Sequence, residues 1–204
     1  MRTKTEKKRQ EIIDAAFQVF SEIGFAQAAM GEIALRAGAS KATLYSYFES
    51  KEELFTEVMC ENAVDEVKAA FLLLDPQVAV EKMLLDFGIH YLTAVLAPQM
   101  LAVRRLANHE GGRSDLGVMF HERGPKRGWQ MVMDLLEQYI QQGHLRSCDA
   151  RVATAHLRGL YEAELMELSI LGVIKVSTRQ LVRDVVKRAL AVFLLAYGPG
   201  AGTR

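Results

Sequence analysis

The sequence predicts an all-α fold, with a small helical N-terminal domain followed by a larger helical C-terminal domain. Three observations support this: apolar residues recur with helical spacing, glycine and proline separate the apolar runs, and alternating strand patterns are nearly absent. Half of the 204 residues are hydrophobic, which is enough for a sizeable core. We place the domain boundary after residue 50, so that the two domains cover residues 1–50 and 51–204.

The composition restricts the class of protein. The formal net charge is zero, so overall charge gives no support to nucleic-acid binding and only local patterns can. Cys60 and Cys148 cannot provide a metal-binding spacing, and we expect no disulfide and a reducing, cytoplasmic setting. The longest stretch without Asp, Glu, Lys or Arg, residues 87–103, is shorter than the ~20 apolar residues of a membrane span. We therefore expect a buried helix there and no membrane partner.

Local signals mark where helices begin and end. A first helix over 7–23 ends at Gly24, a typical C-terminal cap. Ser50 and Glu53 have the spacing of a capping box at the start of a longer helix. The pair Asp75-Pro76 predicts the start of a helix that continues to about residue 97. Further helices are predicted over 30–37, 41–47, 101–108, 115–122, 125–142, 149–171 and 177–197.

The segment from residue 28 to residue 51 reads AAMGEIALRAGASKATLYSYFESK and predicts a helix-turn-helix. Ala34 is small where two short helices would cross, and Gly38 can adopt the left-handed backbone of the turn. Leu44 would pack the second helix onto the core, and Ser40 can cap it.

The second of these helices has an exposed set of polar and aromatic residues, Lys41, Thr43, Tyr45, Ser46 and Tyr47. A recognition helix needs such donors and acceptors to reach phosphates and base edges. The alternative is a core helical hairpin beside a capped neighbour, which would not need this exposed set. The first ten residues hold five Lys and Arg against one acid, which predicts either a DNA-backbone contact or a solvated tail.

Residues 9–58 resemble the DNA-binding domain of the TetR family of transcriptional regulators. The first helix ends in GF, the run GEIALRAGASKATLYSYFESKEELF follows, and SKATLYSYFESKEEL is close to the family's signature. One departure is that Ala28 and Ala29 stand where the family often has a Thr or Ser that caps the next helix. The DNA contacts that the resemblance implies are Met30, Ser40, Lys41, Ala42, Thr43, Tyr45, Ser46, Tyr47 and Lys51.

The resemblance implies a homodimeric repressor that binds a palindromic DNA operator and is released from it by a small-molecule effector. The segment LAVRRLANHEGGRSDLGVMFHERGP is similar to one subgroup of TetR-type C-terminal domains, over roughly 100–145. The family dimerises through its last two helices, which here carry more apolar surface than one inward stripe needs. We therefore expect a four-helix interface between protomers that contains Leu157, Leu160, Leu168, Val185, Ala189, Val192 and Phe193. The alternative is that this surface faces the protomer's own core.

The family binds effectors inside the C-terminal domain. Large side chains, several with an apolar body and a polar tip, suit a largely apolar pocket. The candidates are Phe87, His90, Tyr91, Trp129, Met133 and Tyr161. The alternative is that these residues are ordinary core.

Enzymatic chemistry is not indicated by the sequence. The pairs His109-Glu110 and His121-Glu122 lack the second histidine of a zinc-protease motif, and no serine nucleophile elbow is found. We therefore expect no catalytic residue, metal or cofactor. A purely structural helical adaptor is a second alternative, but it would not need the exposed lysine and tyrosines of the second short helix.

Overall fold

The computed structural model describes residues 5–61, 65–112, 115–174 and 178–200. Their regular secondary structure is α-helical and includes no strand, which confirms the predicted all-α class. The helices are α1 Glu6–Gln27, α2 Met30–Arg36, α3 Lys41–Tyr47, α4 Lys51–Glu61, α5 Asp65–Phe71, α6 Val80–Val95, α7 Pro98–Glu110, α8 Leu116–Arg123, α9 Pro125–Gln141, α10 Ala150–Glu162, α11 Met166–Ile170 and α12 Arg179–Tyr197.

The described residues form two compact units. The first unit lies within Met1–Val64 and Ala102–Gly124, and the second lies within Asp65–Leu101 and Pro125–Arg204. This division does not coincide with the boundary that we predicted after residue 50, because α4 and α8 belong to the first unit.

The core of the first unit explains why α4 belongs to it. Ile13 and Phe20 lie on the broad buried face of α1. Leu54, Phe55 and Val58 of α4 are buried in the same cluster, and the rings of Phe20 and Phe55 meet edge to face at 5.2 Å. Without α4, part of this face of α1 would be exposed to water, so the first unit needs a fourth helix.

Backbone caps set the ends of the helices around the predicted motif. Gly24 has a φ of 77° and a ψ of 166°, which is not helical, so the regular helix is interrupted where we predicted its end and one short turn follows up to Gln27. Gly38 has a φ of 59° in the turn between α2 and α3, as expected for a left-handed position. The capping box of α4 is confirmed: Ser50 Oγ accepts from the Glu53 N–H at 3.0 Å. The Glu53 carboxylate accepts from the Glu49 N–H at 2.6 Å.

The second unit is held together by α6, α9, α10 and α12. Helix α12 packs on α6 and α10, and α9 packs on α10. Gly88 makes the packing of α6 close: a Cβ at this position would lie 2.7 Å from Val186 Cγ1 and 2.8 Å from the Tyr161 ring. A glycine is therefore required where α6 meets α10 and α12.

Three predicted helices of this unit have different bounds. Helix α6 begins at Val80 rather than Pro76, because the Asp75 carboxylate accepts from the Gln77 N–H at 2.8 Å and forms a turn instead of a cap. The helix predicted over 149–171 is divided into α10 and α11. The start predicted at residue 177 lies outside the described residues, and Thr178 Oγ1 caps α12 by accepting from the Leu181 N–H.

The apolar stretch 87–103 is not one helix, since α6 ends at Val95 and α7 starts at Pro98. In the described part of the chain, no single helix is long and apolar enough to cross a membrane, and α6 with α7 reaches that length and composition only as a bent pair.

Candidate DNA-binding surface and effector region

Helix α3 presents a polar surface to solvent. Leu44 is fully buried and anchors the helix, which leaves the rest of its circumference outward. Ser40 caps the helix as predicted, because its Oγ accepts from the Thr43 N–H at 3.0 Å. The two hydroxyl groups of Ser40 and Thr43 also share a 2.8 Å hydrogen bond. The exposed residues of this surface are Ser40, Lys41, Ala42, Tyr45 and Ser46, and Thr43 and Tyr47 are half-buried beside them.

Tyr47 joins this surface to the start of α1. Its phenolic oxygen accepts from the Thr5 backbone N–H at 2.8 Å, and its ring packs against the core of the first unit. The sequence contained no signal for this contact, because 42 residues separate the two partners. Tyr47 therefore lies at the edge of the α3 surface with its hydroxyl group close to the backbone of the N-terminal segment.

Two basic residues of the N-terminal segment are engaged within the first unit. Lys8 Nζ donates to the Ala37 carbonyl at 3.1 Å and to the Gly38 carbonyl at 3.5 Å, in the turn of the helix-turn-helix. Arg9 pairs with Glu57 at 2.6 Å. The first four residues of the chain lie outside the described residues. A DNA contact from this segment stays a prediction, and Lys8 and Arg9 have structural roles in addition.

Lys51 uses its ammonium group inside the protein. Its Nζ donates to the carbonyl oxygens of Phe25, Ala28 and Ala26 at 2.8, 3.0 and 3.4 Å. It also lies 4.3 Å from the centroid of the Phe25 ring. Since a lysine ammonium has three N–H donors, a direct bond from Lys51 to phosphate would replace at least one of these contacts.

Met30 does not lie on the DNA-binding surface. Its side chain is only 7% exposed and belongs to the core of the first unit. The prediction of a DNA contact from this side chain is therefore wrong, because the first turn of α2 points it inward. As expected from Ala29, α2 begins without a side-chain cap.

Four of the six predicted effector residues form one aromatic cluster in the second unit. The Trp129 ring meets the rings of Tyr91 and Phe87 edge to face at 5.0 and 5.9 Å. Phe87 stacks on Tyr91 at 5.7 Å and approaches Tyr161 at 6.2 Å. Phe71, which we did not predict, completes the cluster at 5.4 Å from Phe87.

Polar groups contact this cluster at one edge and inside the core. At one edge, the Tyr91 hydroxyl group donates to the Glu162 carboxylate. Arg158 pairs with the same carboxylate at 3.2 Å and lies over the Trp129 ring at 5.6 Å. Inside the core, the Tyr161 hydroxyl group donates to the Leu84 carbonyl at 2.7 Å. Complete burial raises the pKa of Tyr161 far above its usual range, so this phenol stays neutral.

The other two effector candidates are not part of the cluster. His90 is exposed, and its Nδ1 lies 2.8 Å from the Asp86 carbonyl of its own helix. His90 therefore lies on the solvent side of α6, outside the aromatic cluster. Met133 is half-buried on α9 and has no described contact with these rings.

The predicted interface residues divide into two groups. Leu157, Val185 and Phe193 are fully buried within the protomer, and Ala189 is buried too. Their assignment to a dimer interface is wrong, because they have no surface left for a partner, and for them the own-core alternative holds. Leu160 is half-buried and packs on the core, whereas Leu168 and Val192 are exposed.

Helices α2 and α3 are short and are joined by a turn at Gly38. Leu44 anchors α3, and polar side chains cover its outer side. This arrangement defines the class of a helix-turn-helix DNA-binding protein. Residues 12–58 match the family model described as bacterial regulatory proteins of the tetR family. Residues 82–199 match the model of the C-terminal domain of AefR-like transcriptional repressors.

Relatives of known structure or curated description agree with both models. The chain is similar to the flavonoid-responsive regulator FrrA, with 30% identity, a TM-score of 0.82, and 97% of this chain and 100% of that chain covered. A TetR-family regulator from Mesorhizobium loti MAFF303099 gives 27% identity, the same TM-score and the same coverage. The HTH-type transcriptional regulator SrpR of Pseudomonas putida is 26% identical over 166 residues, which are 79% of this chain and 75% of SrpR.

The chain belongs to the TetR family of transcriptional regulators, which confirms the resemblance found in the sequence. It is a DNA-binding regulator and not an enzyme.

Proposed function

We propose that the protein is a cytoplasmic homodimeric repressor that binds a palindromic operator and leaves it when a small, largely apolar effector binds. The observation that carries this proposal is the outward surface of α3, where hydroxyl, ammonium and phenol groups lie exposed or half-buried beside a buried Leu44. In a dimer, two such helices would enter successive major grooves about 34–36 Å apart.

The direct DNA contacts that we propose all lie on α3 or its cap. Their side chains offer one cation, three hydroxyl groups and two phenols for phosphates and base edges, and one small methyl group for a thymine. Lys51 is left out of this set because its three donors already have carbonyl partners. The proposed contacts are Ser40, Lys41, Ala42, Thr43, Tyr45, Ser46 and Tyr47.

The dimer interface that we propose is an exposed apolar stripe on α12, with α11 beside it. Leu181, Val192 and Leu195 are exposed at spacings of 11 and three residues, which places them on one face of the helix. Arg188 lies on the same face and makes two hydrogen bonds to Glu164, at 2.9 and 2.6 Å, next to α11. Leu168 of α11 is exposed as well. A second copy of the chain would cover this stripe and remove it from water.

The effector region that we propose is the aromatic cluster of Phe71, Phe87, Tyr91, Trp129 and Tyr161. Its rings favour a flat aromatic molecule, and the Tyr91–Glu162 edge would orient a hydroxyl group on it. The similarity to a flavonoid-responsive regulator supports the same class of ligand. An effector releases DNA only to the extent that it binds the two conformations with different affinity.

Selection of genomic DNA fragments by the purified protein tests the operator proposal. We expect recovery of fragments with an inverted repeat and their release by a flat phenolic compound. Trp129 is the only tryptophan of the chain, so its fluorescence reports directly on binding at the cluster. Recovery of random DNA, or release by a compound that leaves this fluorescence unchanged, would contradict the operator or the effector proposal, respectively.

A further inference from the structure

Helix α2 depends on a residue outside itself for the position of its first turn. Its N-cap residue is Ala29, which offers no side-chain acceptor to the free amides of the helix. The preceding turn follows the bend at Gly24, so its carbonyl groups also lack a continuous helical ladder. The carbonyl groups of this turn therefore need hydrogen-bond donors from elsewhere in the fold.

Lys51 supplies that partner from the first residue of α4. Its ammonium group is surrounded by the carbonyls of Phe25, Ala26 and Ala28, and by the face of the Phe25 ring. Carbonyl groups at the end of a helix carry partial negative charge, and a cation there satisfies them. The three acceptors match the three donors of one ammonium group.

We infer that Lys51 is a positioning residue: it ties the start of α4 to the α1–α2 turn and thereby fixes the direction of α2. Helix α2 packs on α3, so the tie also sets the orientation of the DNA-binding surface. Lys51 acts on DNA binding through this turn and not through a bond to phosphate. The inference rests on the DNA-binding function of the unit.

Lys41 provides a matched control. It opens α3 as Lys51 opens α4, but it is exposed on the proposed DNA-binding surface. The variants K41M and K51M each remove one positive charge and keep a side chain of similar length. Operator affinity is measured over a series of salt concentrations, because loss of one phosphate contact lowers the salt slope by about 0.9.

Because a dimer carries two copies of Lys41, we expect K41M to lower the slope by about two units. We expect K51M to lower affinity at every salt concentration by about tenfold, with the wild-type slope. The N–H groups of Ala28 and Ile33 bind the Gly24 and Ala29 carbonyls. In the DNA-free protein, we expect their amide hydrogen exchange to rise in K51M and to stay at the wild-type rate in K41M. This second measurement needs no DNA, so it tests Lys51 even if the operator proposal fails.

A third variant separates the two roles by geometry. K51R keeps the charge and can still bind phosphate. Its guanidinium group is planar and distributes its N–H donors over three nitrogens, so it cannot replace the three bonds that one ammonium nitrogen donates to the three carbonyls. We expect K51R to bind the operator more weakly than the wild type and to exchange faster at Ala28 and Ile33. Wild-type affinity in K51R, or a slope lowered by about two in K51M with unchanged exchange, would overturn the inference.

Discussion

The two units use their polar side chains differently. In the first unit, the side chains of Lys8, Tyr47 and Lys51 bind backbone groups that lie 23 to 42 residues away, and the bonds of Lys8 and Tyr47 lie at the two ends of α3. In the second unit, the Tyr161 hydroxyl group also binds a distant backbone group, the Leu84 carbonyl, but this bond lies completely inside the core. The first arrangement fixes a surface for a partner, and the second fills a core. Changes in the first unit should therefore alter binding, whereas changes in the core of the second should alter stability.

The largest effect is expected on the surface of the second unit. Leu195→Glu should raise the dimer dissociation constant at least a hundredfold (about 2.7 kcal/mol), because dimerisation would bury an unpaired carboxylate. Leu195 is 83% exposed, so the protomer keeps its fold, whereas a charge at half-buried Leu160 would also disturb the core. Sedimentation over a range of concentrations measures the change. Met131→Glu, on the exposed side of α9, is the control and should leave the dimer intact. An unchanged dimer in the Leu195 variant would show that the interface lies elsewhere.

The core of the second unit should not accept an added methyl group at Gly88 of α6. Gly88→Ala should lower the free energy of unfolding by about 1–3 kcal/mol, because the Cβ would press on Val186 and Tyr161. Gly159→Ala in α10 is the matched control: nothing lies within 4 Å of its Cβ, and alanine should raise helix stability by up to about 1 kcal/mol. Urea unfolding at equal protein concentration compares the two. Equal effects at both positions would show that the packing around Gly88 is loose.

Substitutions on the surface of the first unit should change operator affinity and leave the dimer intact. Tyr47→Ala should reduce operator affinity at least about tenfold, because both a DNA contact and the bond to the Thr5 backbone are lost. The dimer should survive, since Tyr47 lies in the other unit from the α12 stripe. Fluorescence anisotropy of labelled operator measures the affinity, and Ser21→Ala on the exposed side of α1 is the control. Normal binding by a folded Tyr47 variant would remove this residue from the surface.

The smallest expected effect comes from removing a tyrosine hydroxyl group, and it should differ between buried Tyr161 and exposed Tyr45. Tyr161→Phe should cost about 1 kcal/mol of unfolding free energy, because it removes the buried hydrogen bond to the Leu84 carbonyl. Tyr45→Phe, on exposed α3, should leave stability unchanged and weaken only operator binding. Denaturation curves and binding titrations of both variants test the contrast; a stability loss in Tyr45→Phe alone would reverse it.

Short-range signals determined most of the first unit. Ser40 and Ser50 cap helices within three residues of themselves, and Gly38 marks the turn, so these features could be predicted without tertiary contacts. The start predicted at Pro76 failed because Asp75 can form a turn as readily as a cap, and both have the same sequence signature.

The sequence by itself therefore determined that the chain is helical, where the helix-turn-helix lies and that Lys41, Tyr45 and Ser46 of α3 face outward. Only the tertiary structure decided which apolar face of α10 and α12 is buried, because helical spacing is the same for an inward and an outward stripe. It also decided the partners of Lys51 and Tyr47, since those partners are set by how distant segments fold together and leave no local pattern.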